Sequence, residues 1–310
     1  MISIVIPLYN KEKQIANTLL TVFDQTFQNY EIVIVNDGST DNSVDIVNSF
    51  NDDRIRLICQ ENQGVSAARN KGIEEAIYDY ISFLDADDEW LPDYLETHVS
   101  LIRKYTECKV FACAYNFKRH NGETNPLILN KFPFLEEQGI LSNYFEVASC
   151  SHPPLWTSAV IVRKDALTAI GGFPVGVKSG EDLLTWARLA VEYKIAYCKK
   201  TKAIFLLDES HNITSTPSRL HDEKDKIVDG LIQLLAQCKK SEKKHIRHYI
   251  SLWYKMRASV YLRLSDKQNT LKYGWFALRY NYKNWKNLFF MVVVMLPKSL
   301  QYLIRKQYSK

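Results

Sequence analysis

The stretch Tyr80-Ile81-Ser82-Phe83-Leu84-Asp85-Ala86-Asp87-Asp88 decides how the rest of the chain is read. Tyr80–Leu84 is a short apolar run with the length of a buried strand, and it empties into an acidic loop. The same arrangement recurs toward the N-terminus. Ile2–Ile6 reads as a buried strand closed by Pro7, Glu31–Val35 as a second and Arg54–Ile58 as a third. Between them lie segments of helical period. Lys11–Gln25 carries Ile15, Leu19, Val22 and Phe23 on one face, and Ser66–Ile77 follows the third strand. Asp41 is placed to cap the helix after the second strand. A further helix is expected over Leu91–Tyr105, with Asp88 near its start as a candidate cap. Strands alternating with helices argue for βαβ units, a parallel sheet and an α/β fold.

In such a sheet ligands bind outside the carboxyl ends of the strands. Four polar clusters fall there: Tyr9-Asn10, Asp37-Gly-Ser-Thr-Asp41, Asn62-Gln-Gly64 leading into Ala67-Ala-Arg69-Asn70-Lys-Gly72, and Asp85–Asp88. Each alone is ordinary loop chemistry. Together they suit a nucleotide diphosphate held with a divalent cation, because carboxylates one residue apart offer hard oxygen ligands for Mg²⁺ or Mn²⁺. No GxxxxGK[ST] loop occurs, and no GxGxxG follows the first strand. That argues against an NTPase or a dinucleotide-dependent dehydrogenase.

These motifs, continued by Ile170-Gly171-Gly172-Phe173 and by Gly180-Glu181-Asp182-Leu-Leu-Thr-Trp186-Ala-Arg188-Leu189, resemble the family-2 inverting glycosyltransferases of A-type fold over about residues 1–215. The resemblance implies a single A-type domain, a Rossmann-like mixed sheet flanked by helices, with a C-terminal helical appendage. It implies a hexosyl- or N-acetylhexosaminyltransferase that takes its sugar from a nucleotide diphosphate, usually UDP. By the same resemblance Asp37 accepts a hydrogen bond from the base, and Pro7 and Tyr9 flank it. Arg69 helps hold the nucleotide, Asp85 faces the ribose and diphosphate with Ala86 beside it in the donor site, and Asp87 binds the metal. Asp182 is the implied general base, taking the proton of an acceptor hydroxyl as that oxygen attacks opposite the diphosphate. Glu181, Trp156 and Trp186 are candidates for contacts to donor or acceptor sugar, the two tryptophans being equally readable as core. His211 stands where relatives complete the metal or diphosphate site. The aromatic-Arg pair usual before it is Leu206-Leu207 here, which leaves a surface-loop reading open. Residues 208–219 read as a lid over the donor.

Asp37 also reads as an Asx-turn residue, and Glu181-Asp182 as acids favourable to a helix N-terminus. Two other functions fit the same motifs. One is a polyprenyl-phosphate sugar transferase, disfavoured because a phosphate acceptor needs no base. The other is a silent nucleotide-sugar-binding protein, disfavoured by the intact Asp37, Asp85, Asp87 and Asp182.

The middle of the chain is more mixed. Lys109–Phe117 and Ser158–Val162 read as strands, Phe134–Val147 and Glu181–Tyr193 as helices, and Ile195–Cys198 and Ala203–Leu207 as two short strands. From about residue 220 the chain reads as helical, with apolar stripes Ile246, Ile250, Trp253, Val260, Leu264 and Leu271, Trp275, Leu278. A catalytic domain is expected over 1–220, its nucleotide half 1–105 and acceptor half 106–220, followed by a helical region over 221–310.

The net charge of +5 conceals an asymmetry. Residues 239–310 hold 17 Lys/Arg against 2 Asp/Glu, so the remaining 238 residues are net acidic. Aromatics are interleaved with the basic residues, and the apolar run Leu288–Leu296 is flanked by them. A solvated helical face is the plain reading of such a charge run, but the interleaved aromatics fit better with helices lying on an anionic membrane surface. Nucleic-acid binding has no support in the acidic catalytic half. Met1–Pro7 lacks a basic n-region and a cleavage site, and the six cysteines show no CxxC. The expectation is a cytoplasmic enzyme, peripheral on the inner face of the membrane, with a glycan or lipid-linked glycan as acceptor.

Overall fold

The computed structural model describes every residue except His120, 208–224, Asn284 and 309–310. His211 and the expected lid therefore lie outside the described residues. In chain order the elements are β1 (Ile2–Leu8), α1 (Ile15–Phe23), β2 (Tyr30–Asp37), α2 (Ser43–Asn48), β3 (Ile55–Gln60), α3 (Val65–Glu75), β4 (Tyr80–Phe83), β5 (Glu89–Trp90) and α4 (Tyr94–Lys104). There follow β6 (Val110–Arg119), β7 (Thr124–Pro126), β8 (Gln138–Ile140), α5 (Tyr144–Cys150), β9 (Val160–Arg163), α6 (Lys164–Ala169), α7 (Glu181–Glu192) and β10 (Ile195–Leu207). Among the described residues five helices follow: α8 (Lys226–Gln237), α9 (Lys243–Arg263), α10 (Lys267–Tyr280), α11 (Trp285–Val293) and α12 (Lys298–Tyr308). They fall into two units, residues 1–147 with 151–206, and residues 148–150 with 207–310.

In the first unit one mixed sheet runs β3-β2-β1-β4-β9-β6-β10-β5, with β7 on β6 and β8 on β10. β1 pairs in parallel with β2 and β4, and β2 in parallel with β3, as the alternation of strands and helices predicts. β9 then runs antiparallel to both β4 and β6. Even-numbered residues of β1 (Ile2, Ile4, Ile6, Leu8) join Ile32, Ile34, Ile15, Leu19 and Val22 in the main core. On the opposite face α3 lies so close that a Cβ on Gly72 would sit 2.2 Å from Val5 Cγ1. Only glycine allows that approach. Pro7 is tolerated inside a central strand because β4 stops pairing at Val5↔Phe83, before Pro7's missing N–H would be needed.

The order 3-2-1-4 has a consequence for function. Connections leave β1 toward β2 on one side and reach β4 from β3 on the other. The crevice at the carboxyl ends of β1 and β4 is therefore the topological switch point.

Several local expectations are corrected. Residues 134–147 are not one helix: Gln138–Ile140 forms β8 against β10, and the helix begins only at Tyr144. Gly139 permits this, since a Cβ there would lie 2.6 Å from the Phe134 ring. The two strands expected between 195 and 207 are one, β10. Asp88 caps no helix, because α4 starts later, behind Asp93. Asp41 sits one residue ahead of the cap position of α2, yet still accepts from Ser43 N at 3.0 Å.

In the second unit α9 packs on α10 through Ser251, whose Oγ donates to Ala277 O at 2.7 Å. The packed face of α10 is Thr270, Tyr273, Gly274 and Ala277, whereas Trp275 is exposed. On α9 the buried set includes Ile246, Ile250 and Trp253 as expected. It then continues through Arg257, Ala258 and Leu262 rather than Val260 and Leu264. Arg257 is buried beneath Tyr273 and paired with Asp225.

Candidate active site

The four polar clusters meet at the switch point. After β1, Asn10 adopts a left-handed conformation (φ 51°), and its Oδ1 accepts from Thr40 N at 2.8 Å in the loop after β2. Lys11 N donates to Ser43 Oγ, and Glu12 N donates to Asp41. The first two βα loops are thus stitched together before any ligand arrives. Tyr9 projects from this junction with 47% of its surface exposed.

Asp37 ends β2 and is buried. Its Oδ1 accepts from Gln60 Nε2 (2.7 Å) and Gln63 N (2.9 Å), and its Oδ2 from Gly64 N (2.8 Å). The carboxylate pins the loop that opens α3. An ionised carboxylate has about four acceptor sites, so capacity is left for one donor from a base. Gly38 (φ +74°) lets Asn62 approach, since a Cβ there would meet Asn62 N at 3.0 Å.

Behind this floor Arg69 is buried, and it points two ways. Its guanidinium donates to Asp85 Oδ1 at 2.7 Å and to Glu181 Oε1 at 3.1 Å, and it lies 5.1 Å from the centre of the Phe173 ring. Burial alone would lower its pKa, but Asp85 and Glu181 outweigh it and raise it. The arginine is a fixed positive charge linking α3, the loop after β4 and the start of α7.

Glu181 and Asp182 open α7 behind Gly180 (φ +85°). Asp182 is half-buried, and its Oδ1 accepts from Leu183 N at 2.7 Å. Its pKa is pushed up to about 7, by burial first and by the Glu181 charge second, with Arg69 opposing. A carboxyl titrating near neutrality is suited to accept a proton from a hydroxyl.

In the acidic loop after β4 the residues take separate tasks. Asp85 faces Arg69. Ala86 is buried, with its carbonyl accepting from Thr18 Oγ1 at 3.1 Å. Asp87 points outward and meets Lys11 Nζ at 2.5 Å across the switch point. Asp88 turns inward, where its Oδ2 accepts from Ser158 Oγ (2.5 Å) and Trp156 Nε1 (3.2 Å), and its Oδ1 from Leu206 N (3.3 Å). Burial, and then the charges of Asp85 and Asp87, hold the Asp88 carboxyl well above the usual range. Asp88 is the joint between the acidic loop, the turn before β9 and the end of β10.

The tryptophans separate. Trp186 is fully buried against Phe83 and Phe173, which makes it core and removes it from any sugar-facing wall. Trp156 is partly exposed, 4.3 Å from Phe205 and 5.6 Å from Tyr115 by ring centres, with its indole N–H committed to Asp88.

Sequence reasoning passed over Lys11 and Ser158, and quoted Asn70 in a motif without giving it a task. Asn70 Nδ2 donates to Phe173 O, and its Oδ1 accepts from Phe173 N, both at 2.8 Å. The only available signal for Lys11 was its place directly after Tyr9-Asn10.

Four carboxyls, on Asp85, Asp87, Glu181 and Asp182, face two cations, Lys11 and Arg69, while Asp88 turns away from both. The surplus is acidic and suits a cation. Among the described residues no three metal-type side chains gather into one cage. One or two carboxylates completed by substrate phosphates is the arrangement Mg²⁺-type ions commonly use. Asp87, about one-third exposed and among the described residues held by Lys11, fits that donor set.

Residues 3–166 match the family model described as glycosyl transferase family 2. The chain belongs to that family. Among curated relatives of this family-2 member, the glycosyltransferase GlyA of Streptococcus pneumoniae serotype 4 is 41% identical over 123 residues, 39% of this chain and 18% of GlyA. The putative teichuronic acid biosynthesis glycosyltransferase TuaG of Bacillus subtilis is 36% identical over 120 residues, 38% of this chain and 45% of TuaG. The alignments thus span less than half of either relative. Among solved structures, S. aureus TarS 1–349 in complex with UDP-GlcNAc superposes with a TM-score of 0.67 at 18% identity, covering 94% of this chain and 90% of that one. A Pyrobaculum calidifontis mannosyltransferase in complex with GDP-Man and Mn²⁺ gives 0.61 at 15%, covering 100% and 87%. At such identities the likeness establishes the fold, which is the A-type glycosyltransferase fold expected from the motifs.

Proposed function

We propose that this family-2 chain transfers a hexosyl or N-acetylhexosaminyl group, with inversion, from a nucleotide diphosphate sugar to an acceptor hydroxyl. The observation that carries this reading is Asp182. It is a half-buried carboxyl with a pKa pushed up to about 7, adjoining the Glu181–Arg69–Asp85 line. Asp182 takes the hydroxyl proton as the oxygen attacks the anomeric carbon. Such a base contributes roughly 10²–10⁴-fold. A phosphate acceptor would have no use for it.

Tyr9 stacks on the base while Asp37, already fixed by Gln60, Gln63 and Gly64, offers its remaining acceptor capacity to a base N–H. Uracil has such a group, as thymine and guanine do; the choice of a UDP-sugar leans on the UDP-GlcNAc held by TarS. Arg69 keeps Asp85 oriented toward the ribose and diphosphate. Asp87, with the donor phosphates, would hold Mn²⁺ or Mg²⁺; when bound, the ion supplies neutralising charge to the departing diphosphate. His211 belongs to the same reading as a further ligand. The TarS and mannosyltransferase complexes support a nucleotide sugar and a divalent ion, and the putative part of TuaG in teichuronic acid biosynthesis supports a cell-surface polysaccharide or glycoconjugate as product.

The acceptor on this reading is a glycan or lipid-linked glycan. Peripheral attachment to the anionic inner face of the cytoplasmic membrane through the basic C-terminal helices would bring the enzyme to it. No helix among the described residues is long and apolar enough to cross a membrane. The proposed division of labour is catalysis within 1–220 and attachment within 221–310.

The test is nucleotide release from a panel of UDP-, GDP- and dTDP-sugars with Mn²⁺ or Mg²⁺, for the wild type and Asp182→Asn. Release by the wild type, reduced at least a hundredfold in the variant, supports the reading. Equal rates in both would remove Asp182 as the base. Inactivity of both across the panel would favour a silent binding protein.

A further inference from the structure

In the C-terminal unit one helical stretch is apolar all round. No charged residue falls between Leu288 and Leu296, a stretch that begins in α11. One side of it turns inward. Val293 and Val294 are buried with Leu262, and Leu271, Phe289, Phe290 and Ile304 pack against them. The other side is open: Leu288, Val292 and Met295 are 51%, 62% and 56% exposed. Their spacing of four and then three sets them in one row along the helix and its exit.

α12 adds to this surface. Gln301 turns inward and its Nε2 donates to the carbonyls of Val294 and Leu296 at 3.2 and 2.8 Å, tying the two helices together. Its neighbours Leu300, Tyr302 and Leu303 remain 42–57% exposed. Lys283 stands just before α11 and Lys298 opens α12, and both are exposed.

A helix that is apolar on every side belongs in a core or in lipid. α11 has 9 residues, too few to span a bilayer, which takes roughly 20. A second copy of this chain could cover the row only by bringing together two regions that each hold 17 basic residues against 2 acidic ones. An anionic bilayer answers both features at once, since its acyl boundary takes the apolar row and its headgroups take the lysines.

We infer that α11 and α12 form a lipid-inserting face. Leu288, Val292, Met295, Leu300 and Leu303 enter the acyl boundary of an anionic bilayer, and Lys283 and Lys298 reach the headgroup phosphates. The inference rests on the peripheral-attachment part of the proposal above and is independent of glycosyl transfer.

The test is co-sedimentation of the full chain with vesicles of phosphatidylethanolamine and phosphatidylglycerol, beside vesicles of phosphatidylcholine alone. The wild type is expected to bind the anionic vesicles and to leave the neutral ones largely in solution. Val292→Glu combined with Leu303→Glu should lower the anionic partition at least tenfold. Lys283→Gln and Lys298→Gln should each lower it about fivefold. Far-UV circular dichroism and nucleotide release should match the wild type, since all four positions are exposed and outside the candidate active site. If the glutamate variant sediments like the wild type, the apolar face is wrong although peripheral attachment stands. If the wild type binds neither vesicle, both fall. If light scattering without lipid shows a wild-type dimer that the glutamate variant splits, the face joins two copies and the lipid assignment is overturned.

Discussion

Asn70 and Phe173 exchange two hydrogen bonds of 2.8 Å across 103 residues of sequence. The side-chain amide of α3 holds the backbone of the Gly171-Gly172-Phe173 turn as a neighbouring strand would. Gly172 (φ +67°) is required beneath it, because a Cβ there would lie 2.5 Å from Asn70 Oδ1. The amide thereby ties α3 to the segment that leads into Glu181 and Asp182.

Asn70→Ala should therefore cost about 2–3 kcal/mol, from two lost bonds and two backbone groups left without their partners. In a chain of this size that is a fall in melting temperature of roughly 3–5 °C. Thermal melts and nucleotide release measure it, and release should fall more than donor affinity. A variant with unchanged melting would show that the turn is held by other contacts.

Asp182 makes activity and stability respond to pH in opposite directions. Nucleotide release should rise through an apparent pKa of about 7, as the carboxyl loses its proton and becomes a base. The folded protein holds that proton more tightly than the unfolded chain, where an aspartate titrates near 3.9. The stabilisation from the bound proton is complete below about pH 4 and is lost as pH rises through about 7. Asp182→Asn, which never ionises, should melt higher than the wild type at pH 8, with the gap closing toward pH 4. Parallel melting curves at all pH values would mean that Asp182 titrates normally.

Lys11 competes for the carboxylate expected to hold the cation. The pair is about one-third exposed on each side and meets at 2.5 Å. Pairs of this kind contribute about 0.2–1 kcal/mol. Lys11→Met should therefore tighten Mn²⁺ binding in the absence of donor by up to about fivefold, read by calorimetry or by the Mn²⁺ resonance signal. Weaker or equal binding would show that Asp87 is not where the ion goes.

Tyr9 is 47% exposed at the mouth of the site. If it stacks on the base, Tyr9→Ala should lose about 1–3 kcal/mol of nucleotide affinity, roughly fivefold to a hundredfold. Titration with UDP alone measures this without turnover. An unchanged affinity would take Tyr9 out of the donor site.

The sequence was most legible where chemistry is local. Apolar runs ending in Asn36-Asp37 or Asp85-Ala86-Asp87 announce strands and their ligand-facing ends, because burial and loop polarity are both written within ten residues. Residues 134–147 misled because their apolar spacing also suits a helix. The edge of β10 took Gln138–Ile140 as a strand partner instead, and such pairing depends on a segment 56 to 60 residues away. Trp186 has the same residue type whether it faces a sugar or a core, and only its contacts with Phe83 and Phe173 decide.

By itself the sequence determined the α/β order, the family and the set of acids from which the site is built. Tertiary structure alone divided their labour. It turned Asp87 outward onto Lys11, Asp88 inward onto Ser158 and Trp156, and Asp85 onto an arginine shared with Glu181. Four adjacent residues of one loop alternate in direction, and what each meets is supplied by segments far away in the chain. Burial and neighbouring charge then set which carboxyl keeps its proton, and no reading of residue types contains either quantity.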